Sequence, residues 1–108
     1  MDEITELKKL APKVQRCDEG GVTFYLLPQL ALPSGCTPER VDALLCPTPR
    51  DGYPSRLFFD EQVRASGNQN WNGAARILER NWYAYSWMVP EPGLRLAQIV
   101  MAHLRALR

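Results

Sequence analysis

The chain has 108 residues, 45% hydrophobic and 23% charged, with a formal net charge of +1. That length suits one domain, residues 1–108, with a single core and no space for an elaborate cofactor, so none is expected. Basic residues are scattered except for Arg95, Arg105 and Arg108, which leaves no broad footprint for nucleic acid or an anionic membrane.

The opening "MDEITELKKL" carries charges where a secretion signal needs an apolar run. Nothing approaches the length of a membrane span, so a cytoplasmic protein is expected. Residues 2–11 read as an amphipathic helix: Ile4, Leu7, Leu10 and Ala11 recur at helical spacing, Asp2 and Glu3 suit its start, and Pro12 stops or kinks it. "VTFYLLPQLALP" reads as a strand running into a proline-bounded segment, and "SGCTPER" as a turn. "RVDALLCP" is a second strand with Val41, Ala43 and Leu45 on one face. After the turn "TPRDGYP", "SRLFFDEQV" offers a third strand through Leu57, Phe58 and Phe59. Hairpin-length connections predict an antiparallel meander.

Residues 65–81 loosen into the polar "SGNQNWNG", read as an ordered loop with a short helix through "AARILER". After "PEPG", residues 94–107 predict a helix burying Ala97, Val100, Met101, Leu104 and Leu107 on one face. Helix, meander, irregular segment and helix make an α+β domain. Cys17, Cys36 and Cys46 are odd in number and far apart, with one histidine in the chain. They read as reduced structural thiols, and neither a disulfide framework nor a metal site is expected.

This order of elements resembles the ubiquitin-conjugating-enzyme fold. "LLCPTPRDGYPSRLFF" is similar to that family's passage in which a Tyr-Pro pair precedes an apolar strand. "NWNGAARIL" is similar to the stretch entering the active-site segment, and "SWMVPEPGLRLAQIVMAHLRAL" to a Trp-x-x-Pro followed by a leucine-bearing helix. A bacterial branch, encoded with ubiquitin-like proteins, activating enzymes and deconjugating proteases, is closer. Its pattern is matched by Leu32-Pro33-Ser34-Gly35, Tyr53-Pro54, the aromatic–serine box Trp82-Tyr83-Ala84-Tyr85-Ser86, and Pro92-Gly93. The resemblance covers about residues 5–107. It implies a component of a bacterial conjugation pathway, in the setting of antiviral defence, with a ubiquitin-like protein and its activating enzyme as partners.

The departures carry equal information. The family's His-Pro-Asn tripeptide and thioester cysteine are missing; that cysteine would fall near Arg76, whereas all three cysteines precede Pro47. Where the bacterial branch places Arg-His after its box, this chain has Trp87-Met88. A serine in place of the thiol needs a base and oxyanion donors.

By position in the box, Ser86 is the candidate nucleophile and Ser66 a rival; the alternative for Ser86 is a hydroxyl bonded locally beside packed aromatics. His103, the sole imidazole, stands at the margin of its helix's buried face and reads as a satisfied boundary histidine, with the candidate base as the alternative. Asn72, with Asn68 and Asn70, offers oxyanion or loop support. Trp71, Trp82, Tyr85 and Trp87 are candidate partner-binding residues where exposed and core anchors where buried. Three functions stay open: an oxygen carrier for the modifier, a catalytically silent binding variant, and an interaction domain unrelated to ubiquitin.

Overall fold

Asp2 sets the first element. Its carboxylate accepts the Thr5 N–H at 2.8 Å and so caps α1 (Glu3–Leu10), which buries Leu7 and half-buries Ile4 and Leu10. The computed structural model describes residues 2–65, 67 and 69–108. Beyond Pro12 the chain forms β1 (Gln15–Glu19), β2 (Val22–Ala31), β3 (Arg40–Cys46) and β4 (Arg56–Phe59). They pair antiparallel in the order β1-β2-β3-β4, so the meander has four strands. The strand absent from the sequence reading is β1, a mostly exposed edge whose "QRCDE" offers no apolar alternation. Gly20 and Gly21, at φ 59° and 79°, supply the two-residue turn that joins it to β2.

The sheet is buried on both faces. On one, Val41, Ala43 and Leu45 meet α1 and the C-terminal helix α2 (Leu96–Leu104), which ends in a 3-10 turn. On the other, Phe24, Leu44 and Phe58 pack against Ile77, Trp82 and Ala84. Cover on both sides is why Leu57, Phe58 and Phe59 of β4 are apolar without alternation.

That second layer corrects the expected helix through "AARILER". The segment is a hairpin, β5 (Ala75–Ile77) paired with β6 (Arg80–Trp82). Packing overrides helix propensity here: Ile77 and Trp82 must reach the same core, and Trp82 Nε1 donates to the Ile77 carbonyl at 3.0 Å. The turn uses Leu78 and Glu79 at φ 53° and 62°, and Glu19 Oε2 accepts the Leu78 N–H at 2.8 Å. Left-handed conformations strain residues with a Cβ, and Leu78 packs on the core while Glu79 is exposed. Glu79→Gly should therefore raise stability by about 1 kcal/mol, visible as a higher midpoint in urea unfolding.

After Trp82 the chain lies along the open edge of β4, where Tyr83 and Phe59 exchange backbone hydrogen bonds of 2.7 and 2.8 Å. It then runs without regular structure to α2. The buried face of α2 differs from the expected one. Val100, Leu104 and Leu107 are inside as predicted, but so are Ala102 and His103, whereas Met101 is 40% exposed and Ala97 half-buried. Polar anchors set this rotation: His103 bonds to Ser55, and the Tyr85 hydroxyl donates to the His103 carbonyl at 2.7 Å. Among the described residues no helix is long and apolar enough to cross a membrane.

Candidate functional site

The surroundings of Ser86 are organised by Arg56, a buried residue at the start of β4. Its guanidinium donates to Asp51 Oδ2 at 3.0 Å, to the Tyr85 carbonyl at 3.3 Å and to Asn72 Oδ1, and it lies over the Tyr53 ring at 4.6 Å. A guanidinium only donates, so the Asn72 oxygen must face it. The Asn72 amide nitrogen is then turned toward Ser86 Oγ, 3.2 Å away, and the Asn70 amide donates to the same oxygen at 3.4 Å. Backbone bonds fix the pairing: Ser86 N–H reaches the Asn70 carbonyl at 2.9 Å and Asn72 N–H the Ala84 carbonyl at 2.8 Å.

Sequence reasoning named Asn72 as support, and the fold brings it to the half-buried Ser86. The arrangement presents two amide donors to one hydroxyl oxygen. Such donors stabilise negative charge there, but they take no proton. No imidazole or carboxylate among the described residues is hydrogen-bonded to Ser86 Oγ.

His103 serves a different serine. Its Nε2 lies 2.9 Å from Ser55 Oγ, with both residues buried. His103 is thus a satisfied histidine at the helix boundary, and the assignment as a base for Ser86 is corrected, because the rotation of α2 aims the ring at Ser55 beside the start of β4. Burial first, and the neighbouring Arg56 charge second, push the imidazole down to about 4. The pair has nucleophile–base spacing but unfavourable chemistry. A base titrating that low is a poor proton acceptor at neutral pH. Ser55 borders a pocket of about 210 Å³ shared with Pro47, Pro54, Pro92 and Glu91. Its three prolines offer no N–H, and the Glu91 carboxylate opposes a developing oxyanion. The pair ties α2 to β4. Neither Ser55 nor Arg56 is singled out from sequence; a charged side chain opening an otherwise apolar strand is the available signal for Arg56.

The aromatic residues separate by burial. Trp82 and Tyr85, candidates for partner contact, are instead in the core. Tyr85 stacks on Phe59 with centroids 5.7 Å apart, and Trp71, half-buried, packs edge-on against both. Burial raises the Tyr85 phenol well above its usual range. Trp87 is exposed, with Nε1 donating to the Ala102 carbonyl at 3.1 Å, and Met88 beside it is exposed too. Ser66 and Asn68 lie outside the described residues. Cys36 and Cys46 are buried and Cys17 half-buried; burial pushes the Cys36 thiol up, away from a reactive thiolate. Among the described residues no three His, Cys, Asp or Glu side chains are grouped to hold a metal.

No protein-family model, curated protein or solved structure matches the chain.

Proposed function

We propose that this chain is a ubiquitin-conjugating-enzyme-like domain of a bacterial ubiquitin-like modification pathway, and that it works by binding the modifier or its activating enzyme. The observation that carries the binding reading is the state of Ser86: its oxygen receives two amide donors and, among the described residues, no base, while the chain's one imidazole is committed to Ser55. Support for the fold relationship is the order of elements: N-terminal helix, antiparallel meander, irregular segment beside β4, and C-terminal helix. Activating such a hydroxyl requires a general base.

A second reading rests on the same amides. Two donors 3.2 and 3.4 Å from Ser86 Oγ are suited to an oxygen that carries negative charge, which favours an ester-linked carrier if a partner supplies the base. Mixing the protein with a ubiquitin-like protein and activating enzyme encoded beside its gene, plus ATP, separates the two. The binding reading expects a complex on gel filtration and no covalent band on a denaturing gel. A band that resists thiol, dissolves in alkali and is lost in Ser86→Ala would establish the carrier and overturn silent binding. If neither a complex nor a band forms, the pathway assignment is wrong.

Ser86→Ala should cost about 1 kcal/mol in urea unfolding, since it removes an acceptor from two amides that retain some access to water. On the binding reading it leaves the complex intact.

A further inference from the structure

Met101 is a large apolar side chain left 40% exposed by α2, and it lies in a groove. The groove runs between α1 and α2 with a volume of about 600 Å³ and a floor that includes Leu10, Leu94, Ala97 and Met101. A second hollow of about 250 Å³ continues it toward Leu32 and Pro33, sharing Lys9, Leu10 and Met101. Trp87 flanks the same surface through its bond to Ala102, which lines the groove. Exposed Met and Trp beside an apolar trough are the adaptable and anchoring residues that protein interfaces favour.

Charge along the groove is unequal. The acidic side chains of α1 are occupied by the start of α2, and the exposed Glu91 also lines the groove. Glu3 Oε2 accepts the Leu96 N–H at 2.8 Å, and Glu6 Oε1 accepts from Arg95 Nε at 2.7 Å. Toward the C-terminal ends of the two helices stand Lys9, Arg105 and Arg108, and none of them forms an ion pair with a carboxylate among the described residues. The apolar floor therefore ends under three cations.

We propose that the groove between α1 and α2 docks an amphipathic segment of another protein, apolar toward Leu10, Ala97 and Met101 and acidic where it crosses Lys9, Arg105 and Arg108. Its geometry matches helix-in-groove recognition, where apolar anchors give affinity and flanking charges fix direction. The proposal stands without the ubiquitin-conjugating reading. Three cations over an apolar floor, in a chain of net charge +1, are too few for a nucleic-acid backbone.

Random displayed peptides of about 16 residues, roughly 24 Å long as a helix, selected on the intact protein, provide the test. Enriched peptides should combine Leu, Ile or Phe at helical spacing with clustered Asp or Glu. Their affinity should fall about tenfold or more in Met101→Asp and in the triple variant Lys9→Glu, Arg105→Glu, Arg108→Glu. The triple variant changes only exposed side chains; glutamates at the ends of α1 and α2 oppose the helix dipoles, so it should lose about 1–2 kcal/mol yet still unfold in one cooperative step. Selection on it should enrich basic peptides instead. No enrichment, neutral or basic peptides on the wild type, or binding indifferent to the triple variant would overturn the proposal. So would a concentration-dependent dimer that Met101→Asp dissociates, which assigns the groove to a second copy. Adsorption to phosphatidylserine vesicles that the triple variant abolishes would assign it to a membrane surface and overturn it as well.

Discussion

Arg56→Met should lower the free energy of unfolding by about 3 kcal/mol, a large share of what a small domain holds in reserve. The loss comes from acceptors, not from an ion pair. With the guanidinium gone, Asn72 Oδ1 and the Tyr85 carbonyl lose their donor at about 1–3 kcal/mol each, and the contact over Tyr53 contributes about 1 kcal/mol more. Methionine offsets part of this by filling the site without a desolvated charge. Asp51→Asn isolates the ionic part. The Asp51 side chain is 56% exposed, so its pair with Arg56 is screened and that change should cost under about 1 kcal/mol. Arg56→Lys should fall between the two, because one ammonium cannot span three acceptors held by a flat fork. Urea unfolding at neutral pH ranks the variants. Arg56→Met within about 1 kcal/mol of the wild type would sink the hub, as would an equally large loss in Asp51→Asn. The hub also makes the Ser86 site non-additive: without Arg56 the Asn72 amide is free to turn, so Ser86→Ala should cost less in that background.

How much of this was legible follows from the range of each interaction. The start of α1, β2, β3, β4 and the existence of α2 rest on local pattern, and the sequence carries that pattern openly. β1 was hidden because an exposed edge strand needs no apolar alternation. The β5–β6 hairpin was misread as a helix because Ala, Arg, Leu and Glu favour helices. Its two-residue turn, Leu78-Glu79, also lacks the glycine that usually marks such a turn. What makes the segment a hairpin is a core that Trp82 shares with Phe24 and Phe58, far away in the chain. The face of α2 was legible only in part, since Ala97 and Met101 fit the apolar spacing as well as Val100 and Leu107 do. His103, bonded across 48 residues to Ser55, breaks that tie, and no short-range rule contains such a pairing. Asn72 and Ser86 are named separately from sequence, one by its loop and one by the aromatic box, whereas their contact, and the part Arg56 plays in aiming one at the other, depend on a fold that brings β4 beneath them.

Acid should destabilise the protein through that same histidine. In the unfolded chain the imidazole titrates near its ordinary 6.5, whereas in the fold it is held down to about 4, by burial first and Arg56 second. Above the unfolded value neither state binds the proton, and the native state keeps its full advantage. Between the two values only the unfolded state binds it, so stability falls as pH falls; below the folded value both are protonated and the decline ends. A shift of this size corresponds to about 3 kcal/mol in all, of which about 2 kcal/mol is lost between pH 7 and pH 5. That window avoids most carboxylate titration. Asp60, raised by burial and by its neighbours Asp42 and Glu61, acts with the opposite sign, since the fold retains its proton more readily. Urea unfolding of the wild type should show the drop, and His103→Gln should flatten it even though that variant starts less stable at neutral pH. A wild-type profile that is level from pH 7 to pH 5, or an unchanged slope in His103→Gln, would remove His103 as the acid-sensitive clamp. Arg56→Met supplies the link between the two predictions. Without the neighbouring positive charge the folded imidazole titrates closer to its ordinary value, so the acid slope should shrink even as overall stability falls. Loosened packing that wets the ring would also shrink the slope, so Arg56→Lys is the control: it keeps the positive charge and should keep more of the acid slope than Arg56→Met does.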